Sequence, residues 1–253
     1  MNLPDVWLTL ILILARVLSF LTTAPVFNRR NVPALAKIGL GFYMSLLVLS
    51  RVPDVTGYET AGFIFALVAE VAVGLAAGVL TDWLFMSLTM GGQLMDQQAG
   101  FGTAAIFDPS MSLQLSLLST LLLYLALFLM LQLNAHHVLI MGVVRSFEVI
   151  PPGQATVSTS LLPLALRTIT AAFGLFMRVA APVVAVVMLT DITLGMVGRT
   201  VPQLNVLMLG LPVKAATAML VFAAVSPALL GIGDSLVTEI ELGLLGWIEV
   251  MGP

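Results

Sequence analysis

Residues 93–102 read Gln93-Leu94-Met95-Asp96-Gln97-Gln98-Ala99-Gly100-Phe101-Gly102, with Asp108-Pro109 close behind. This polar, glycine-rich island separates two long apolar runs, residues 60–92 and 111–147. Backbone at membrane depth must satisfy its own hydrogen bonds or face protein or water. A polar loop in that setting lines something instead of touching lipid. Asp108 suits an N-cap and Pro109 a first helical position, so a new helix is expected beyond the island.

The remaining composition makes the membrane reading necessary. The chain is 60% hydrophobic and 9% charged, whereas soluble domains carry roughly 25% charged residues. So few charges cannot cover a water-facing surface, and the chain reads as an integral membrane protein forming one helical bundle. With no cysteine it has neither a disulfide framework nor a thiolate metal site. A net charge of −3 excludes a basic nucleic-acid footprint. The first apolar run is longer than a signal-peptide core of about 7–15 residues and lacks a basic leader, so it is expected to stay in the mature protein.

Six apolar runs are visible: residues 3–27, 34–50, 60–92, 111–147, 161–190 and 204–230. The third and fourth would be about 50 and 55 Å as straight helices, against a hydrocarbon slab of about 30 Å. They must tilt, break, or stand against protein. Breaks fall at Asn31-Val32-Pro33, Arg51-Val52-Pro53-Asp54, Pro151-Pro152-Gly153 and Arg199-Thr200-Val201-Pro202-Gln203. Arg29, Arg30 and Lys37 place the loop after the first run in the cytoplasm by the positive-inside rule. Residues 235–251 are amphipathic, with Leu236, Ile240 and Leu244 against Glu239, Glu241 and Glu249. They read as a helix lying at an interface or on a partner.

Four charged groups fall inside or near the ends of apolar runs: Arg16, Glu70, Asp82 and Lys214. Such groups usually face protein or water. Glu70, Gly74, Gly78 and Asp82 recur every four residues and wind along one helical face, with the glycines forming a small-residue contact strip. A proton or ion relay is the functional alternative; a close helix–helix contact is the reading preferred. His136 and His137 point about 100° apart on a helix and do not share a metal easily. Met86 and Met90, at helical spacing, fit filler better than a gasket. No P-loop, nucleophile elbow or metal-ligand spacing is present, so no catalytic residue and no cofactor is assigned.

Taken in order, several segments resemble the FliR family of flagellar type III export-gate subunits. They are Arg16; Pro25-Val26-Phe27 with Arg29, Val32-Pro33 and Lys37; Glu70, Gly74 and Gly78; and Gln97-Gln98-Ala99-Gly100-Phe101 with Asp108-Pro109. Asn134-Ala135-His136-His137, Ser146-Phe147 and Ile150-Pro151-Pro152-Gly153 follow. The last are Ala181-Pro182-Val183, Asp191, Gly195, Arg199, Pro202-Gln203, Asn205, Gly210, Pro212 and Lys214. Ala135 departs from a usual glycine.

The resemblance implies an all-α membrane protein of long helical hairpins with non-standard topology. A FliP-like part, residues 1–155, would carry a lumenal loop near 93–112. A FliQ-like hairpin with a C-terminal amphipathic helix, residues 156–253, would follow. It implies a non-enzymatic channel subunit of the inner membrane and flagellar basal body, passing unfolded flagellar proteins. Implied partners are FliP, FliQ, FlhB, FlhA, the exported proteins and membrane lipid. Gln97, Gly100, Phe101, Gly102, Phe107, Asp108 and Pro109 are the expected plug or constriction residues. Arg16, Glu70, Gly74, Gly78, Asp82, Arg199, Pro202, Gln203 and Lys214 are expected packing or partner contacts. The same role in an injectisome and a small-solute secondary transporter are the alternatives.

Overall fold

A computed structural model describes residues 3–29, 32–53, 55, 60–101, 116–155, 161–201 and 206–252, with Leu3, Pro4, Val206 and Leu207 as backbone only. The described residues form helices and no strand: α1 (Leu3–Thr23), α2 (Ala34–Leu49), α3 (Thr60–Ala99), α4 (Leu117–Gln132), α5 (Ala135–Val149), α6 (Leu161–Thr200) and α7 (Val206–Met251). Four are long and apolar enough to cross a membrane, or five if α4 and α5 count as one broken span. The protein is an all-α integral membrane protein.

Two boundaries differ from the sequence reading, and one of the over-long runs takes the broken alternative. The island is not a loop from its first residue, because α3 continues through Ala99 and the chain leaves the helix at Gly100, where φ is 83°. Leucine, methionine and glutamine are good helix formers, and the Asp96 carboxylate is engaged elsewhere, as shown below. The run 111–147 is not one long helix. It breaks at Asn134, whose left-handed φ of 54° separates α4 from α5; asparagine tolerates that conformation better than most residues. The amphipathic end is not a separate element either. It completes α7, a 46-residue helix that contains Pro212 and Pro227. Neighbouring groups in a membrane protein can absorb the hydrogen bond each proline removes.

The chain groups into two compact units. Unit 1 comprises Met1–Leu84, Asn134–Ala171 and Val237–Pro253; unit 2 comprises Phe85–Leu133 and Ala172–Leu236. Helices α3, α6 and α7 each contribute to both.

Unit 1 has its core among Leu12, Ile13, Val17, Phe20 and Leu21 of α1, Val73 and Ala77 of α3, Leu139 and Val143 of α5, and Ile240, Leu244 and Trp247 of α7. The face of residues 235–251 expected to meet an interface is therefore covered by the chain itself. Its apolar side chains lie four apart and match the groove spacing of neighbouring helices. In unit 2 the core is built by Phe85, Leu88 and Met95, Leu122, Ala126 and Met130, and Leu175, Val179 and Val183.

Candidate functional site

The most polar buried constellation lies in unit 1. Arg16 and Glu70 are fully buried and face each other from α1 and α3. Arg16 donates from Nε to Glu70 Oε2 and from Nη2 to Glu70 Oε1, the latter at 2.9 Å. This two-point geometry is the one guanidinium and carboxylate fit best. Arg16 Nη1 donates to Ser146 Oγ at 3.1 Å and to the Ile150 carbonyl at 3.0 Å. Glu70 Oε1 also accepts the Gly153 N–H at 2.8 Å. The guanidinium carbon sits 4.2 Å from the Phe147 ring centroid, a cation–π contact. One ion pair thus joins α1, α3, the end of α5 and the Pro151-Pro152-Gly153 turn, where Gly153 takes a φ of 81° that favours glycine.

The strip below Glu70 packs on the same helix. A side chain at Gly74 would strike Ser19 Oγ and the Arg16 carbonyl, and one at Gly78 would strike Thr23 Oγ1 and the Phe20 carbonyl. Ser19 Oγ donates to the Arg16 carbonyl at 2.9 Å and Thr23 Oγ1 to the Phe20 carbonyl at 3.2 Å. The hydroxyls of α1 are satisfied on their own helix, and the two backbones can approach. Asp82, at the far end of the strip, is half-buried and feels the charge of Arg29.

Unit 2 holds the base of the island. Asp96 is 5% exposed, and its two carboxylate oxygens accept the N–H groups of Leu118 at 2.8 Å and Ser119 at 3.0 Å. Ser116 precedes α4 but makes no side-chain cap. The cap of α4 comes instead from α3, and a carboxylate there also suits the positive end of the helix dipole. Ser119 Oγ donates to the Thr89 carbonyl at 3.0 Å, and a side chain at Gly92 would strike the Ser119 backbone. The two ends of the connection between α3 and α4 are held together by these contacts. Asp96→Ala should strand two buried N–H groups and lower stability by about 1–3 kcal/mol. Asp96→Asn, which keeps one acceptor oxygen, should lose less; the thermal midpoint of the purified chain in detergent reads both.

Of the other expected residues, Gln97 is exposed near the end of α3 and its carbonyl accepts the Gly100 N–H at 3.2 Å, while Phe101 is half-buried. Lys214 pairs with Asp191 at 2.9 Å within unit 2. Arg199 is exposed in the last turn of α6. Gly102, Phe107, Asp108, Pro109, Pro202 and Gln203 lie outside the described residues. The structure adds Asp96 to the residues singled out, and it joins Ser146 and Gly153 to Arg16 and Glu70. The motifs Ser146-Phe147 and Ile150-Pro151-Pro152-Gly153 were visible in the sequence. Their convergence on Arg16 across 130 or more positions leaves no local pattern to read. Among the described residues no group of three or more His, Cys, Asp or Glu side chains could hold a metal ion.

Residues 7–240 match the family model of bacterial export proteins, family 1. The flagellar biosynthetic protein FliR of Bacillus subtilis is 33% identical over 220 residues, 85% of each chain. The chain belongs to the FliR family. FliR of Escherichia coli is 27% identical over 229 residues, covering 90% of this chain and 87% of the relative. FliR of Aquifex aeolicus is 29% identical over 217 residues, covering 85% and 83%. This FliR-family chain is a flagellar export component of the inner membrane, and each of these relatives carries the name flagellar biosynthetic protein.

Proposed function

We propose that the chain is a channel-forming subunit of the flagellar export gate, passing unfolded flagellar proteins together with FliP and FliQ, with FlhB and FlhA as further partners. The observation that carries this reading is the exposed apolar surface of α6. Large apolar side chains are exposed in two stretches, Leu162–Met177 and Met188–Val197, with the exposed charge of Arg178 between them; end to end the interval is about 52 Å of helical rise at 1.5 Å per residue. The bilayer core is about 30 Å thick, and membrane helices tilt by up to about 40°. Even at that tilt the interval is longer than the hydrocarbon core, and a charge in mid-helix faces protein or water in preference to lipid; both support cover by partner subunits. A small-solute carrier buries its own helices around a midplane site and has no use for such a stripe.

The chain divides, on this proposal, into a FliP-like part and a FliQ-like hairpin. Residues 100–114 contribute to the closed constriction, and Arg199, Pro202 and Gln203 contact partner subunits. The left-handed Gly100 and the Asp96 clamp support the constriction, since they fix where the connection starts and ends.

The test is expression with and without FliP and FliQ. Expressed with them, the chain should join one hetero-oligomeric particle, and deleting residues 100–102 in that particle should raise small-molecule leakage across the membrane. A stable monomer that transports a solute alone would overturn the subunit role. Unchanged sealing after the deletion would overturn the constriction.

A further inference from the structure

Within unit 1, a groove of about 210 Å³ runs between α5 and the C-terminal part of α7. It is smaller than the roughly 300–1,000 Å³ of pockets that enclose drug-sized ligands. It suits a headgroup with a short stretch of chain. From α5 it is lined by Met141 and Arg145, and from α7 by Glu241, Leu245 and Ile248. Gly142 forms part of the wall, where a Cβ would come within 2.9 Å of Leu244 Cδ1.

Two contacts set the register. Residue 142 lies level with Leu244, and Val149 lies 3.4 Å from the position a Cβ on Gly252 would take. Helix α5 and this part of α7 therefore run parallel. Arg145 lies level with residues 247–248, six or seven positions past Glu241, or about 9–10.5 Å of helical rise. Both side chains are exposed. They form no ion pair with each other within 4.0 Å, and neither has a hydrogen bond among the described residues. The trough between them is apolar, and His137 lines the groove at its Glu241 end. Charge beside lipid is costly unless it meets a counter-charge, and here two opposite charges stand apart along one greasy channel.

We infer that this groove binds a phospholipid with a zwitterionic, primary-amine headgroup, of the phosphatidylethanolamine class. Its phosphate and ammonium are joined by two carbons. With a charge-assisted hydrogen bond of about 2.7–2.9 Å at each end, and two flexible side chains to reach it, such a headgroup matches the interval between the two helical levels. Arg145 binds the phosphate, Glu241 accepts from the ammonium, and the trough takes the first methylenes of an acyl chain. A choline headgroup has no N–H to give Glu241. A glycerol headgroup brings no positive charge to it.

The full chain would be reconstituted in phosphatidylcholine vesicles containing added phosphatidylethanolamine or phosphatidylglycerol. It would then be extracted in mild detergent and its retained lipids weighed by mass spectrometry. Phosphatidylethanolamine should be enriched about tenfold over the other two, the effect of one hydrogen bond to a charged group. Glu241→Gln should reduce its retention to that of phosphatidylcholine. Arg145→Gln should lose retention of all three lipids, as should Met141→Trp, which fills the trough and leaves both charges. Glu249→Gln, an exposed acid on α7 outside the groove, should behave as the parent chain, and unchanged thermal midpoints show that the variants are folded. Equal retention of all three lipids by the parent chain would overturn the site, as would a Glu249→Gln effect matching Glu241→Gln. So would a photo-activatable residue at position 245 that labels a protein segment in cell membranes in place of lipid.

Discussion

Arg16→Ala should lower the stability of the chain by about 3–5 kcal/mol, because it leaves the Glu70 carboxylate buried without its counter-charge. Glu70→Ala should cost a similar amount, stranding the guanidinium and removing the carboxylate that accepts the Gly153 N–H. Arg16→Lys keeps the charge but cannot hold Glu70 at two points and reach Ser146 and Ile150 as well, so it should fall between. The informative variant is the double replacement of Arg16 and Glu70 by leucine or methionine. Both desolvation costs then vanish with the pair, and stability should return most of the way to that of the parent chain. Denaturant unfolding of the purified chain in mixed micelles measures all four. A double variant as unstable as the single ones would show that the network's geometry, not its charge balance, holds α1, α3 and the 151–153 turn.

The second large effect concerns close approach. Gly74→Ala should destabilise by about 1–3 kcal/mol, because the new methyl meets the Arg16 carbonyl and Ser19 Oγ, and backbone cannot retreat as a flexible side chain can. Gly92→Ala should do the same against the Ser119 backbone. Gly174 supplies the control. It lies inside α6 with nothing within 4 Å of a built Cβ, so Gly174→Ala should be neutral or gain up to about 1 kcal/mol of helix propensity. Thermal midpoints of the three single variants in one detergent check the contrast. Equal shifts for Gly74→Ala and Gly174→Ala would mean that helix propensity alone, not packing, governs these positions.

Much of the fold is legible in the residues. Too few charges to face water, long apolar runs and proline or glycine breaks lead to apolar helices, and the helices occur where the runs do. The four-residue spacing of Glu70, Gly74 and Gly78 marks a packing face, and α1 lies against that face. The boundary of the island was less legible. Polar composition from Gln93 onward looks like a loop, yet those side chains are good helix formers, and only Gly100 carries the conformation that ends α3. The break at Asn134 was hidden for a related reason: one left-handed residue between apolar stretches scarcely changes hydrophobicity, though it ends a helix.

Sequence by itself determined the solvent, the helices and the chemical character of the contact faces, because these follow from composition and from a period of 3.6 residues along one chain. Tertiary structure alone decided the partners. Arg16 meets Glu70, Ser146 and Ile150; Asp96 meets the start of α4; Lys214 meets Asp191. A buried charge needs some counter-charge or donor, and the sequence states that need. Which group meets it depends on which helices pack together, and that is set by shape complementarity over the whole core, not by any local pattern.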